Sequence, residues 1–514
     1  MLIETRPWPG DPEALYTVLG NRPGLAILDS GMEPRAGGLY PSGRWCFAAF
    51  DPFAVLECRL DGCCRVSGGC NREFKADPLD TLQDLLEAYA LPAGAGPTPL
   101  PAGGIGFLAY GLRVFVEPRP GRPDDLDLPV LRVGFYDAVL ALDRREGLLY
   151  LTSTGLPAAG SARAERAASR MRLLREVVAA AAERAACAPP EPGHRLGVPG
   201  GICSGDPGVS ARGTWVSGSA GRVSGSAGRL WPPGPVSSSF DRAAYLEAVR
   251  RVKDHIWAGD VYQVNLAQRF SVPWPGSAHA LFRRLRRQNP APFSALIEGA
   301  DFSVVSASPE RFLHLDPLTG VVHTRPIKGT RPRGPSPEAD ARLARELLAS
   351  GKDRAEHIMI VDLERNDLSR VAEPASVRVP EMLVLEPFPT VWHLVSTVEA
   401  RLRPGTGVAA LLRATFPGGS ITGAPKIRAM EIIEELEPVP RGVYTGAAGY
   451  FSFDGRLDLN IAIRTIVLRG GRAWFHAGGG IVADSEPEAE YRETLDKARA
   501  LFAALGSPKY RGCL

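Results

Sequence analysis

His323-Thr-Arg-Pro-Ile-Lys-Gly-Thr-Arg-Pro-Arg-Gly334 sets one lysine, Lys328, among arginines in a chain of 514 residues whose 60 basic residues include only seven lysines. Where composition favours arginine so heavily, a lysine points to chemistry that arginine cannot do. An ε-amine can lose its proton and attack carbon, whereas a guanidinium stays charged. Arg325, Arg331 and Arg333 are expected to push that amine towards its neutral form, because like charges disfavour protonation. Pro326 and Pro332 stiffen the flanks, and Gly329 lets the backbone approach a ligand. The plain alternative is an exposed basic loop with an ordinary lysine, so the rest of the chain has to decide.

Composition narrows the choice. A hydrophobic share of 45% and a charged share of 23% are those of a soluble globular protein. Sixty cations against 57 anions leave a net charge of +3, which gives no reason to expect nucleic acid or a membrane as partner. Met1 to Pro9 has neither the apolar core of a signal peptide nor the run of a membrane helix, and a cytoplasmic location is expected. The eight cysteines read as reduced thiols. Cys58, Cys63, Cys64 and Cys70 crowd one stretch, but without paired zinc spacing.

Three regions follow from composition. Residues 1–186 alternate short β-rich segments and turns, from Leu25 to Thr152, and close with a helix over Ala162 to Ala186. Residues 187–238 are crowded with Gly, Ser and Pro and carry the tandem repeat VSGSAGR at 216–222 and 223–229. Such a segment buries too little apolar surface to offset its entropy and reads as a flexible insertion or linker. Residues 239–514 resume regular patterning. Helices are expected over Arg242 to Ala258, Pro337 to Ala349, Arg354 to Glu364 and Pro425 to Leu436. Strands are expected over Val261 to Val272, Phe293 to Glu298, Val391 to Val398, Val443 to Phe453, Leu457 to Leu468 and Ala473 to Ala477. A last helix is predicted from Ser485, with Glu488 completing a capping box.

Several residues in this last region carry candidate chemistry. Glu490 and Glu493, three apart on one helix face, would repel unless a cation joined them. Lys497, one turn on, is the bland answer. Magnesium, a hard cation that takes few carboxylates, is the sharper one, with Glu356 as a further ligand. The run Ala477-Gly478-Gly479-Gly480 reads as a turn between strand and helix whose N–H groups can cradle an anion. Arg464, placed in a strand, would need an anion if buried: a bound carboxylate or a structural ion pair. His393 is a lone histidine in an apolar strand, and Glu310 is either a turn carboxylate beside Arg311 or a general acid.

Together Ser308 to Phe312, Pro326 to Thr330, Glu356 to Asp367, Pro417 to Ile433 and Gly442 to Thr494 resemble, in order and spacing, the signatures of the chorismate-utilising enzymes. That family includes anthranilate synthase component I, aminodeoxychorismate synthase component I and the isochorismate and salicylate synthases. The resemblance implies an α+β fold of packed, mainly antiparallel sheets with helices outside. Lys328, Gly259-Asp-Val-Tyr-Gln-Val-Asn-Leu266 and Gly418-Gly-Ser-Ile-Thr-Gly-Ala-Pro-Lys426 look like the aminodeoxychorismate branch, with an anthranilate-forming enzyme as the alternative. What the branch implies is Lys328 as nucleophile and Glu310 as general acid, with His393 matching a family acid/base histidine. It further implies Mg2+ on Glu356 and Glu493 with Glu490 nearby. Chorismate would be bound by Tyr444, Arg464, Gly478, Gly480, Lys497, Ser420, Gly329 and Thr330. The implied partner is a separate glutamine amidotransferase subunit that supplies ammonia in a heterodimer, and the implied pathway is p-aminobenzoate and folate synthesis. Leu28-Asp29-Ser30-Gly31 partly resembles the family's Leu-Glu-Ser-Ser signature for tryptophan.

Overall fold

Alternating β-branched and aromatic residues need partners on both edges of each strand, and the chain supplies them in two sheets. The computed structural model describes residues 1–8, 10–20, 22–32, 43–69, 71–118, 121–187 and 236–506. Each sheet has twelve strands, all paired antiparallel. The chain is thus α+β, as the sequence led us to expect.

In the first sheet, strands from the N-terminal half lie together and join those of the C-terminal half where Ala26–Asp29 pairs with Phe293–Glu298. The second sheet is joined in the same way, where Gly103–Leu108 pairs with Ala447–Ser452. The sheets pack face to face through clusters drawn from both, such as Phe107 and Ala448 against Ile297, Val304 and Val467. Helices cover the outer faces. Glu13–Leu19, Gly160–Cys187, Ala278–Gln288 and Pro487–Ala504 pack on the first sheet, while Pro78–Ala88, Gly351–Ser369 and Val408–Thr415 pack on the second. The order of layers is helix, sheet, sheet, helix.

Local chemistry explains most boundaries. The predicted strand Val130 to Leu142 is two strands, Leu131–Tyr136 and Ala138–Asp143, broken at the buried Asp137 and belonging to different sheets. Likewise Leu457 to Leu468 divides into Leu457–Ile461 in the second sheet and Thr465–Arg469 in the first. The chain crosses between sheets at residues 462–464, so Arg464 lies in a crossover with φ +52 and not in a strand. Gly470 and Gly471, at φ +58 and +71, make the two-residue turn that returns the chain along Arg472–Ile481. The predicted capping box is absent. Pro487 takes the first helical turn, Glu486 is the N-cap without a side-chain bond, and the Ser485 hydroxyl goes to Glu490 instead. Most of the predicted linker, residues 188–235, lies outside the described residues, as does Cys70. Cys46, Cys58, Cys63 and Cys64 carry free thiols.

Candidate active site

Lys328 sits in a β-bulge. The strand Ile327–Pro332 pairs with Val391–Arg401, but Ile327 faces Val395 while Thr330 faces His393, so one extra residue lies on the first strand. Gly329 adopts φ +87, the left-handed conformation that glycine supplies at a bulge. A Cβ there would press on Leu347 and Asp353 at 2.9 and 3.2 Å, so this glycine answers to the helices behind it. The amine of Lys328 lies 3.0 Å from Glu356 Oε1.

The arginines around Lys328 do not act as their sequence position suggests. Arg325 pairs with Glu381 and Glu386, Arg331 with Glu346 and Asp353, and Arg333 with Asp340. Each guanidinium is cancelled by its own carboxylates, and the charge nearest the amine is Glu356, of opposite sign. The expectation that these cations drive Lys328 neutral is therefore corrected.

Glu356 leaves the helix Gly351–Ser369 towards the bulge, and Gln263 Nε2 donates to it at 2.9 Å. Burial opposes its ionisation, but Lys328, Lys497 and Gln263 outweigh burial and hold the carboxyl below its ordinary value. Its neighbour His357 is fully buried, bonded through Nε2 to Ser396 Oγ at 2.7 Å, and burial brings its pKa down to about 4. Glu310 is only 4% exposed, and burial pushes its carboxyl up to about 7 against the hydrogen bond from Ser420 and the charge of Lys328. At neutral pH this carboxyl is poised to hold and release a proton.

The glycine run is strand rather than turn. Gly478, Gly479 and Gly480 belong to Arg472–Ile481 and face Ala267, Leu266 and Asn265 of Gln263–Pro273. Asn265 and Ala267 send their amides away, to the Thr422 carbonyl and to Glu437 Oε1. Alternation along an antiparallel ladder then turns the N–H groups of Gly478 and Gly480 away from that strand as well. Thr465–Arg469, on the other side, pairs only as far as Phe475, so both amides lie on an open edge.

Three carboxylates lie close to this strand. A Cβ on Gly479 would lie 3.2 Å from both Glu490 Oε2 and Glu493 Oε1, and one on Gly480 would meet Gln263 Nε2 at 2.2 Å and Glu356 Oε1 at 2.9 Å. Burial raises Glu490, which accepts from Ser485 Oγ at 2.7 Å. Glu493 is also opposed by burial, yet Lys497 at 2.6 Å holds it below its ordinary value. Lys497 donates at 2.9 Å to the Gly478 carbonyl as well. No group of three His, Cys, Asp or Glu among the described residues is placed to hold a metal ion. Glu490 and Glu493 lie against Gly479 and Glu356 against Gly480, with Lys497 beside Glu493 and Lys328 beside Glu356 as countercharge. This all-oxygen donor set suits a hard divalent cation.

Beyond it, Arg464 donates to the Lys497 carbonyl and has no carboxylate within ion-pair distance among the described residues. Burial lowers its pKa, with Tyr444 and Glu493 acting against burial. Tyr444 stacks on His476 with centroids 5.0 Å apart, and burial pushes its hydroxyl up to about 12. Arg464 thus reaches the helix that carries Glu490 and Glu493.

Three of the residues named from sequence face elsewhere. Thr330 is exposed and bonds His393 Nδ1 at 2.9 Å, the ring of His393 packs edge-on against Phe388 at 4.6 Å, and Gly329 backs onto helices. Sequence reasoning passed over Gln263, Asn265, His357 and Glu364. The signal for the first two was available: polar residues two apart in an apolar strand project to one face.

Residues 216–503 match the family described as chorismate binding enzyme. The chain belongs to that family. Aminodeoxychorismate synthase component 1 of Salmonella typhimurium is 38% identical over 98% of both chains. Anthranilate synthase component 1 of Pseudomonas aeruginosa is also 38% identical, over 96% of this chain and 92% of its own. Anthranilate synthase component I of Streptococcus pneumoniae, a crystal structure, superposes with TM-score 0.71 at 30% identity over 92% of this chain and 95% of that one. This family member is accordingly an enzyme acting on chorismate.

Proposed function

We propose that the chain is the synthase subunit that converts chorismate and ammonia to 4-amino-4-deoxychorismate, for p-aminobenzoate and folate synthesis in the cytoplasm. The observation that carries this reading is the setting of Lys328: a bulged strand turns the amine into a site with a buried acid, Glu310, and the carboxylate Glu356. An anthranilate-forming enzyme adds ammonia directly and has no use for an amine there, whereas an amine that bonds first to the ring accounts for nitrogen ending at C4.

In this mechanism Arg464 and Tyr444 hold the enolpyruvyl carboxylate, and the free amides of Gly478 and Gly480 with Lys497 receive the ring carboxylate. A magnesium ion on Glu356 and Glu493, with Glu490 nearby, would polarise that carboxylate and the allylic system. Lys328, held beside Glu356, is the attacking amine. Its nitrogen bonds to C2 as the ring double bond shifts and the C4 hydroxyl leaves as water, taking the proton of Glu310. Ammonia then adds at C4 and expels the lysine amine. A separate amidotransferase supplies that ammonia, in keeping with relatives named as component 1.

The test is incubation with chorismate, magnesium and an ammonium salt, followed by product mass and fluorescence. The aminodeoxychorismate mass without pyruvate release is expected. Lys328→Ala should lose that product while still binding chorismate, and an adduct on residue 328 should be trapped in the parent enzyme. Anthranilate as product, or full output from the alanine variant, would overturn the assignment.

A regulatory role has one observation in its favour. A cavity of about 480 Å³ lies away from Lys328 and is lined by Leu28, Asp29, Ser30, Pro292, His314 and Tyr450 among others. Asp29 is already engaged by Arg286 and Cys46. Tryptophan titration by calorimetry beside a turnover assay decides whether this cavity takes the amino acid.

A further inference from the structure

The acidic helix Pro487–Ala504 packs against the strand that carries the glycine run, and most of its buried contacts are apolar. Tyr491 clusters with Tyr245 and Leu266, while Ala498, Leu501 and Phe502 join Phe270 and Phe475. Contacts of this kind have no direction, so they let a helix slide or turn slightly on its sheet. One buried amide supplies the direction. Gln268 is 1% exposed and faces Ala477, two residues along the ladder from the pair of Leu266 and Gly479. Its side chain therefore leaves the same face of the sheet as a Cβ on Gly479 would, the face against which Glu490 and Glu493 lie. Gln268 Nε2 donates to Thr494 Oγ1 at 2.6 Å, and the buried Thr494 hydroxyl donates in turn to the Tyr491 carbonyl at 2.7 Å. At the other end of the amide, Ser238 Oγ donates to Gln268 Oε1 at 2.8 Å and accepts the Phe240 amide at 3.3 Å. The row runs one way, from an amide to a carbonyl, which fixes the orientation of Gln268 and lets each bond strengthen the next.

We propose that Gln268 is a positioning residue for the carboxylates Glu490 and Glu493, setting where their helix sits on the glycine strand. This rests on the reading that those carboxylates serve a divalent cation. Thr494 follows Glu493 directly and lies one turn beyond Glu490, so its bond to Gln268 pins the stretch of backbone from which both carboxylates leave. Lys497 makes a second tie, to the Gly478 carbonyl at 2.9 Å, but its side chain is 37% exposed and its amine is shared with Glu493. The bond between Gln268 and Thr494 lies away from water and is the stronger tie. Ligand oxygens have to stand within about 0.2 Å of their ordinary distance from a cation, and a shift of the helix would move both carboxylates together. Groups that orient the ligands without touching the metal accordingly govern its affinity.

The experiment is magnesium binding to the full chain, read by calorimetry without chorismate. Gln268→Met keeps the length of the side chain and removes both of its bonds. Thr494→Val removes the hydroxyl at the far end, and Thr494→Ser keeps it. Gln268→Met and Thr494→Val should each weaken magnesium by about tenfold, and the double variant should be no weaker than either alone, because both remove the same bond. Thr494→Ser should bind as the parent does. A role in folding alone would lower the unfolding temperature of these variants and leave their magnesium affinity unchanged, which overturns the proposal, as do additive losses in the double variant. Glu493→Gln separates the inference from the reading beneath it. If that variant loses magnesium while Gln268→Met keeps it, the inference falls and the cation site stands. If it binds magnesium no more weakly than the parent, the cation site falls and the inference with it. Should Gln268→Met fail to fold, the contrast between Thr494→Val and Thr494→Ser decides.

Discussion

Glu310 shows how burial changes the acidity of an ordinary side chain. Its carboxyl titrates near 7 in the folded chain, against an ordinary value of 4.5, because desolvation outweighs the help of Ser420 and Lys328. Between those values the folded state holds the proton and the unfolded state does not, so stability contributed by this group is full below pH 4.5 and is lost as pH rises through about 7. Glu310→Gln removes that loss. The variant should be more stable than the parent at pH 8, by roughly 1–3 kcal/mol in chemical denaturation, while turnover falls by about 10²–10⁴. In the parent enzyme turnover should decline as pH passes about 7, where the acid is spent. Gly480 makes the opposite point, since it matters for having no side chain. A methyl at that position would drive Gln263 and Glu356 apart, and Gly480→Ala should cost turnover and metal affinity together, read from magnesium titrations.

At the scale of elements, the helix Gly351–Ser369 ties chemistry to packing. One face carries Glu356 to Lys328, seats His357 under Ser396, inserts Ile360, Val361 and Leu368 among buried side chains, and ends on Asp367. Asp367 pairs with Lys426, both nearly buried. Asp367→Ala leaves an ammonium without its counterion and should destabilise the protein by roughly 3 kcal/mol in urea or guanidinium unfolding. The start of this helix was legible in sequence to within a turn, because periodicity and caps are local, but it runs five residues past the expected end at Glu364. The strands were less so. A run such as Leu457 to Leu468 reads as one strand, since nothing in its pattern announces that residues 462–464 cross from one sheet to the other. The glycine run was read as a turn for a similar reason: three glycines mean turn in isolation, and only the neighbouring strand makes them a ladder.

Across the whole molecule, both sheets are built from both halves of the chain. The pairings of Ala26–Asp29 with Phe293–Glu298 and of Gly103–Leu108 with Ala447–Ser452 make each half the edge partner of the other. Bridges such as Arg113 and Arg122 with Glu434, or Arg286 with Asp11 and Asp29, cross the same divide. Residues 1–187 expressed alone should therefore aggregate through open strand edges, whereas co-expression with residues 236–514 should restore a single unfolding transition and turnover. Two transitions in calorimetry would show instead that the halves fold independently. What the sequence determined by itself was the family, because a set of motifs in fixed order and spacing is a property of residue type and order. What only the tertiary structure decided was which charges meet. The arginines beside Lys328 turn to other carboxylates and Glu356 comes to the amine, since electrostatic neighbours are set by distance through space, and a bulge of one residue is enough to choose among them.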